Sequence, residues 1–323
     1  MKDKKNTIAR VDYHDFISGD PIKRANFIKE FGDSFVNMGF AIVENHGVSE
    51  ELKGELLRIS KAFFALDNDI KKKYELPNSG QRGFISKNRE TAKGQKVPDL
   101  KEFYHIGQTV TDGDPIQEEY PKNIWPNELS DFKDIGLEVY STFEKTGRNL
   151  LRAIALYLKL PENYFDMKIH NGNSILRLLH YYPLDNVDHI PEGSVRAAAH
   201  GDINLITLLM GADVSGLQAQ DLDGNWIDVD PGPNAIAINI GDMLERHTNG
   251  LLRSTIHQVV NPTDLELLKK PRYSMPFFLH PRSDMDLSCL ESCIPEGESK
   301  GWDDITAGDF LNERLLELGL KKK

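Results

Sequence analysis

The spacing of the apolar residues changes near residue 174, and this change constrains the fold more than any other feature of the chain. Earlier segments have helical spacing, whereas later ones are short runs, several rich in β-branched residues, separated by Gly, Pro and Asn-Gly turn signals. Many short strands at close intervals are typical of a β-sandwich or barrel, and a jelly roll places inward-facing residues around a cavity. The predicted strands are 174–182, 203–210, 216–221, 226–230, 235–240, 253–260 and 272–279.

Helical spacing predicts the elements around this β-rich core. The predicted fold class is mainly β with α, a double-stranded β-helix (jelly roll) flanked by N-terminal and middle helices and a C-terminal helix. The predicted helices lie at 21–38, 50–66, 129–159 and 306–318, and two short strands lie at 7–13 and 40–43.

Charge and cysteine content restrict the protein class. Lys and Arg number 39 against 50 Asp and Glu, so the net charge of −11 argues against non-specific binding to nucleic acid. The cysteines, Cys289 and Cys293, form no disulfide framework, and they are expected to be free thiols in a reducing compartment. Neither a signal peptide nor a bilayer-length apolar run is recognisable. These features predict a soluble cytoplasmic protein without a membrane, nucleic-acid or obligate protein partner.

Three pairs of polar residues occur on segments that otherwise look buried. Residues i and i+2 of a strand point to the same face, and buried polar groups need partners. The simplest interpretation is that all three pairs face one polar cavity. The pairs are His200 with Asp202, Arg272 with Ser274, and His180 with Tyr182.

His257 supplies a second imidazole for such a cavity. It follows Asn249-Gly250, a strong hairpin signal, which predicts that its strand returns to the sheet carrying His200. Two imidazoles and a carboxylate, here His200, His257 and Asp202, are typical of a non-haem iron(II) site with open coordination positions. A guanidinium with a hydroxyl two residues later is suited to binding a carboxylate.

The motifs jointly resemble one protein family along nearly the whole chain. The chain is similar to the iron(II)- and 2-oxoglutarate-dependent oxygenase superfamily, specifically to its isopenicillin N synthase-like branch. Besides the residues above, the matching segments are Phe31-Gly32, Met38 to Val48, Asp99 to Glu102, Gly216 to Ala219, Trp226, Asn239 to Asp242, and Thr248 to Gly250.

The resemblance implies a single structural domain over 1–323. Within it, an N-terminal dioxygenase region is expected at 7–110, a middle helical segment at 129–160, a catalytic jelly-roll region at 174–282 and a C-terminal extension at 283–323.

The resemblance also implies roles for the polar pairs. The catalytic iron(II) ligands would be His200, Asp202 and His257, while Arg272 and Ser274 would bind the distal carboxylate of 2-oxoglutarate.

The third polar pair contains a departure from the family. Tyr182 matches a tyrosine that can also reach the co-substrate, whereas the family usually has asparagine at the position of His180.

The function implied by the resemblance is that of a non-haem oxygenase using Fe(II), O2 and 2-oxoglutarate. Oxidative decarboxylation of 2-oxoglutarate to succinate and CO2 would be coupled to hydroxylation, or a related oxidation, of a small organic substrate. One alternative is an iron oxidase that does not consume 2-oxoglutarate, as in isopenicillin N synthase or aminocyclopropane-carboxylate oxidase. The other is a non-catalytic jelly-roll binding module.

Overall fold

The computed structural model describes residues 7–76, 80–86, 101–110, 112–183, 196–211, 216–262 and 264–317. The helices of this part are α1 Tyr13–Ile17, α2 Pro21–Asn37, α3 Glu50–Phe64, α4 Asn68–Lys71, α5 Phe132–Tyr157, α6 Asp166–Ile169, α7 Asp242–His247, α8 Leu265–Leu268 and α9 Ala307–Glu317. The strands are β1 Ala9–Asp12, β2 Phe40–Glu44, β3 Gly83–Ile85, β4 Lys101–Gly107, β5 Ile175–Tyr181, β6 Ala197–His200, β7 Ile206–Met210, β8 Leu217–Gln220, β9 Trp226–Asp228, β10 Ala235–Ile240, β11 His257–Val259 and β12 Arg272–Leu279.

Helix α2 has recognisable start and stop signals. The Asp20 carboxylate accepts hydrogen bonds from the amides of Ile22 and Lys23, and Pro21 occupies the first turn, where its missing N–H has no helical partner. Gly39 follows the helix in the left-handed region, at φ +67°. A Cβ at Gly39 would lie 2.3 Å from the Thr255 hydroxyl, so only glycine allows this approach.

Two sheets form the β-rich core. The larger has the order β1-β2-β10-β7-β12-β5-β4-β3, and the smaller has the order β6-β11-β8-β9. Helix α5 packs on the outer side of the larger sheet, where Phe143 stacks on Phe277 of β12. The jelly-roll class with flanking helices is confirmed. Its central strands pair with non-consecutive ones, since β7 lies between β10 and β12, and β11 lies between β6 and β8.

The strand predictions are correct for seven segments after residue 174, with the predicted ends for β10 and β12 and shifted ends for the other five. Strand β6, which carries His200, is absent from the prediction because its sequence is a run of alanines without β-branched residues. Strand β3 lies within 76–98, a stretch that the sequence suggested was irregular and that is otherwise largely outside the described residues. Asp99 and Leu100 also lie outside them.

The hairpin predicted at Asn249-Gly250 is wrong. Both residues have positive φ, +50° and +78°, but they follow helix α7, and the Gly250 amide donates to the Glu245 carbonyl at 2.9 Å. The pair therefore ends a helix, which needs the same left-handed conformation as a tight hairpin.

The larger sheet combines strands from the N-terminal region with those of the jelly roll. Strands β1 and β2 join at β10, while β3 and β4 join at β5. We propose that the chain forms one structural domain, because separating 7–110 from 174–282 would break both pairings. Within the described residues, no helix combines the length and the apolar composition needed to cross a bilayer.

Candidate metal centre and carboxylate pocket

His200, Asp202 and His257 converge on one point. Strand β6 pairs with β11 so that His200 lies directly opposite His257, and the two ring centroids are 4.5 Å apart. The Asp202 Oδ1 atom lies 4.0 Å from Nε2 of His200 and 3.9 Å from Nε2 of His257. One potential ligand atom from each residue lies within 4.8 Å of the other two. This arrangement suits three ligands on one face of a metal ion.

Backbone carbonyls orient both imidazole rings. Nδ1 of His200 lies 2.7 Å from the Ala198 carbonyl, and Nδ1 of His257 lies 3.0 Å from the Thr255 carbonyl. Because a carbonyl can only accept, each Nδ1 carries the proton, and each Nε2 presents its lone pair to the shared point. The donor set therefore fits a divalent cation.

Asp202 lies beyond the end of β6, so strand alternation does not place it. Its Oδ2 atom accepts hydrogen bonds from the Thr207 hydroxyl at 2.5 Å and the Asn239 amide at 2.8 Å. Its backbone carbonyl accepts from the Asp242 amide at 2.7 Å. These contacts fix the carboxylate with Oδ1 directed at the two imidazoles.

Asn239→Ala is expected to lower iron(II) affinity about 10–100-fold, the usual cost of removing a group that orients a metal ligand. Anaerobic iron titration measures this change. Asn225→Ala is the matched control, because the Asn225 amide also donates to an aspartate, Asp221, outside the candidate metal centre. Equal iron affinities of the two variants would contradict the role given to Asn239.

The protonation states of His200 and Asp202 favour cation binding. His200 opens onto the cavity, with 44% of its side chain exposed, and the rest of its ring packs beside that of His257. Burial, together with neighbouring His257, lowers the pKa of His200 to about 4. Burial alone would raise the pKa of Asp202, but the two imidazoles and the hydrogen bonds to Oδ2 outweigh it and lower this pKa. A neutral imidazole and an ionised carboxylate are the forms in which histidine and aspartate ligate a metal.

A cavity of about 510 Å³ opens beside the candidate metal centre. Its volume lies in the range of small-molecule sites. Its wall includes His200 and Asp202, with Phe278 and His280 from the β12 side and Leu311 from α9. Arg272 and Ser274 do not line this cavity but lie further along β12.

The register of β12 against β5 determines which side chains accompany Arg272. Arg272 pairs with Tyr181, and Ser274 pairs with Leu179. Directly opposite residues share a face, so Arg272, Ser274 and Tyr181 lie together. Arg272 is 5% exposed, and its guanidinium lies 5.0 Å from the Tyr181 ring centroid. Thr207, which holds Asp202, pairs with Phe278 on this same face, so the guanidinium and the candidate metal centre share one interior.

The prediction that His180 and Tyr182 face this interior is wrong. His180 pairs with Tyr273, and their rings stack at 4.9 Å with an angle of 14°. Both side chains therefore lie on the face opposite Arg272. Tyr182 is on that face too, where its hydroxyl bonds Glu102. The prediction that residues 180 and 182 share one face of the strand is right, but that face points away from Arg272. Tyr181 occupies the position expected for Tyr182.

The opposite face contains a buried ionic cluster. Glu102 is 1% exposed and accepts from Lys71 Nζ at 2.9 Å, while one of its oxygens lies 2.8 Å from His180 Nδ1. Burial alone would raise the pKa of Glu102, but hydrogen bonds from His180 and Lys71 lower it. This cluster, which we call the Glu102 cluster, gives His180 a structural partner.

Sequence reasoning missed three residues of the site, namely Tyr181, Thr207 and Asn239. The Asn239 to Asp242 segment was noted only as a family motif, although Gly241 signals a close approach. A Cβ there would lie 2.2 Å from the Asn204 carbonyl.

Two family models match the chain. The model described as non-haem dioxygenase in morphine synthesis N-terminal matches residues 8–128, and that of the 2OG-Fe(II) oxygenase superfamily matches residues 172–281.

Curated relatives match along most of their length. A 2-oxoglutarate-Fe(II) type oxidoreductase, hxnY, from Emericella nidulans is 30% identical, over 93% of this chain and 87% of the relative. The proline hydroxylase buaE from Petromyces alliaceus is 32% identical, over 96% of this chain and 99% of the relative.

Solved structures have the same architecture. A 2OG-Fe(II) oxygenase family protein from Caulobacter crescentus is 41% identical, with a TM-score of 0.86 over 96% of this chain and 99% of the other. Full-length T7H of Neurospora crassa, solved in complex with alpha-KG, is 29% identical, with a TM-score of 0.87 over 98% of both chains.

Proposed function

Because this chain belongs to the 2-oxoglutarate- and iron(II)-dependent oxygenase superfamily, we propose that His200, Asp202 and His257 hold its iron and that Arg272 and Ser274 bind its co-substrate. The protein is an Fe(II)- and 2-oxoglutarate-dependent dioxygenase. The observation that carries the ligand assignment is the convergence of one potential ligand atom from each of the three residues within 4.8 Å.

The iron, when bound, supplies the position at which O2 is reduced while 2-oxoglutarate is oxidised to succinate and CO2. The protein contributes position, charge and exclusion of water. Thr207 and Asn239 hold the Asp202 carboxylate, and backbone carbonyls hold the two imidazole rings. Arg272 offers a guanidinium that stays charged and can bind a carboxylate through two hydrogen bonds.

The substrate is proposed to be a small organic molecule that undergoes hydroxylation or a related oxidation in the cavity beside His200. The cavity volume of about 510 Å³ supports this size class. We also propose that the enzyme acts in the cytoplasm without nucleic acid, a membrane or an obligate protein partner. The net charge of −11 supports the part of this proposal that concerns nucleic acid.

The test combines spectroscopy with product analysis. Iron(II) and 2-oxoglutarate are added to the purified protein without oxygen, and a visible metal-to-ligand charge-transfer band is expected. Oxygen is then admitted, and succinate is measured. Absence of both the band and succinate would contradict the proposed site.

Arg272→Met is expected to weaken 2-oxoglutarate binding about a hundredfold, because charge-assisted hydrogen bonds to a buried cation are lost. The intensity of the charge-transfer band against 2-oxoglutarate concentration measures this affinity. Arg282→Met is the control, because the Arg282 guanidinium binds a carboxylate elsewhere, that of Asp114, at 2.9 Å. Unchanged affinity in Arg272→Met would remove Arg272 from the co-substrate site.

A further inference from the structure

Arg196 is a buried cation whose hydrogen-bonding capacity is not fully used. It directly precedes β6, the strand that ends at His200, and is 4% exposed. Its Nη2 atom donates to the Leu267 carbonyl at 3.4 Å, a long contact. Its Nη1 atom is buried and has no hydrogen-bond partner among the described residues. A buried N–H group left without an acceptor is costly, and the cost is larger when the group is charged.

Arg196 lies near the start of β12, because the Leu267 carbonyl that it contacts belongs to α8, five residues before Arg272. Burial lowers the pKa of Arg196, the charge of Arg272 lowers it further, and Tyr181 opposes these effects. The Arg272 guanidinium lies over the Tyr181 ring. Tyr181 therefore has both guanidinium groups within electrostatic range. Two buried like charges are unfavourable together unless an anion lies near them.

The strands around Tyr181 supply cations to this face and no carboxylate. Tyr181 pairs with Lys101 of β4 on one side and with Arg272 of β12 on the other. Glu102, the acidic residue of β4, points to the opposite face, where Lys71 and His180 bind it. The anion that this region accommodates best therefore comes from outside these three strands, and 2-oxoglutarate carries two carboxylates.

We propose that Arg196 binds the distal carboxylate of 2-oxoglutarate through Nη1, alongside Arg272 and Ser274, and thereby selects dicarboxylate over monocarboxylate 2-oxo acids. This inference rests on the proposed co-substrate site and extends it from one guanidinium to two. A carboxylate has acceptor positions for several donors, so two guanidinium groups and a hydroxyl can be satisfied together.

The test compares two ligands that differ only at the distal end. 2-Oxopentanoate has the same five-carbon chain as 2-oxoglutarate, with a methyl group in place of the distal carboxylate. Both affinities are measured without oxygen, from the charge-transfer band of the iron(II)-loaded protein. In Arg196→Met, 2-oxoglutarate is expected to bind about ten- to hundredfold more weakly, whereas 2-oxopentanoate binding changes less than about twofold.

Arg246→Met is the matched control. The Arg246 guanidinium also donates to a backbone carbonyl, that of Asp303, and its buried Nε atom has no partner among the described residues, yet it does not neighbour Arg272. Both affinities should be unchanged in this variant. If Arg196→Met does not fold, the same two affinities are measured in Arg196→Lys. Its preference for 2-oxoglutarate over 2-oxopentanoate should lie between that of the wild type and complete loss.

Several results would overturn the inference. Equal weakening of both ligands would make Arg196 a structural residue, and an unchanged preference in both Arg196 variants would exclude it from the carboxylate site. In either case the wild-type band remains, so the proposed function survives. Absence of a band in the wild type with either ligand would instead contradict the proposed function, and this inference with it.

Discussion

Asp202→Ala is expected to abolish iron-dependent consumption of 2-oxoglutarate. Asp202 supplies the anionic member of the candidate ligand set, with Oδ1 at 4.0 and 3.9 Å from the two histidine Nε2 atoms. Two neutral imidazoles alone leave the cation without a compensating charge in a buried site, so iron affinity and turnover should fall together. Iron content and succinate formation measure the two effects.

Asp221→Ala is the control for loss of a buried aspartate. Asp221 is 4% exposed and accepts hydrogen bonds within its own turn, from the amides of Asp223 and Asn225. This variant should retain iron and turnover, although it loses some stability. Near-normal 2-oxoglutarate consumption by Asp202→Ala would refute the ligand assignment.

Glu102→Ala is expected to lower the free energy of unfolding by about 3–5 kcal/mol. The substitution leaves the Lys71 ammonium, 5% exposed, buried without its carboxylate, and it also removes the partner of His180 Nδ1. Chemical denaturation monitored by circular dichroism measures the change.

A double variant separates the cost of an unpaired charge from that of lost packing. Lys71→Met combined with Glu102→Leu removes both charges and should destabilise less than Glu102→Ala alone. Glu55→Ala, which breaks the exposed pair with Arg58, should cost less than about 1 kcal/mol. A single-variant cost close to that of Glu55→Ala would show that the Glu102 cluster contributes little.

The metal ligand set remains a prediction from the sequence, and the structure replaces part of the reasoning that led to it. His200 and His257 face each other across paired strands, as expected. Asp202 was placed by strand alternation, yet it lies after β6 and is held by Asn239, Thr207 and the Asp242 amide. Those contacts span up to 40 residues of sequence, and no local pattern encodes them.

Tyr181 and Tyr182 show most clearly which structural feature the sequence alone does not determine. Alternation states that Tyr181 and Tyr182 lie on opposite faces of a strand, but it does not state which face is inside. A shift of one residue exchanges every side chain between the faces. The register of β5 against β12 and β4 resolves this, because it places Tyr181 opposite Arg272 and Lys101.

The sequence by itself determined the β-rich class and the oxygenase family, and it predicted the metal ligand set, because spacing, residue chemistry and motif order are local properties of a chain. The tertiary structure decided that Tyr181 rather than Tyr182 accompanies Arg272, that His180 belongs to the Glu102 cluster, and that the Nη1 atom of Arg196 is buried without a partner among the described residues. The physical reason is that strand register and burial depend on long-range pairing, whereas the local pattern is compatible with either face.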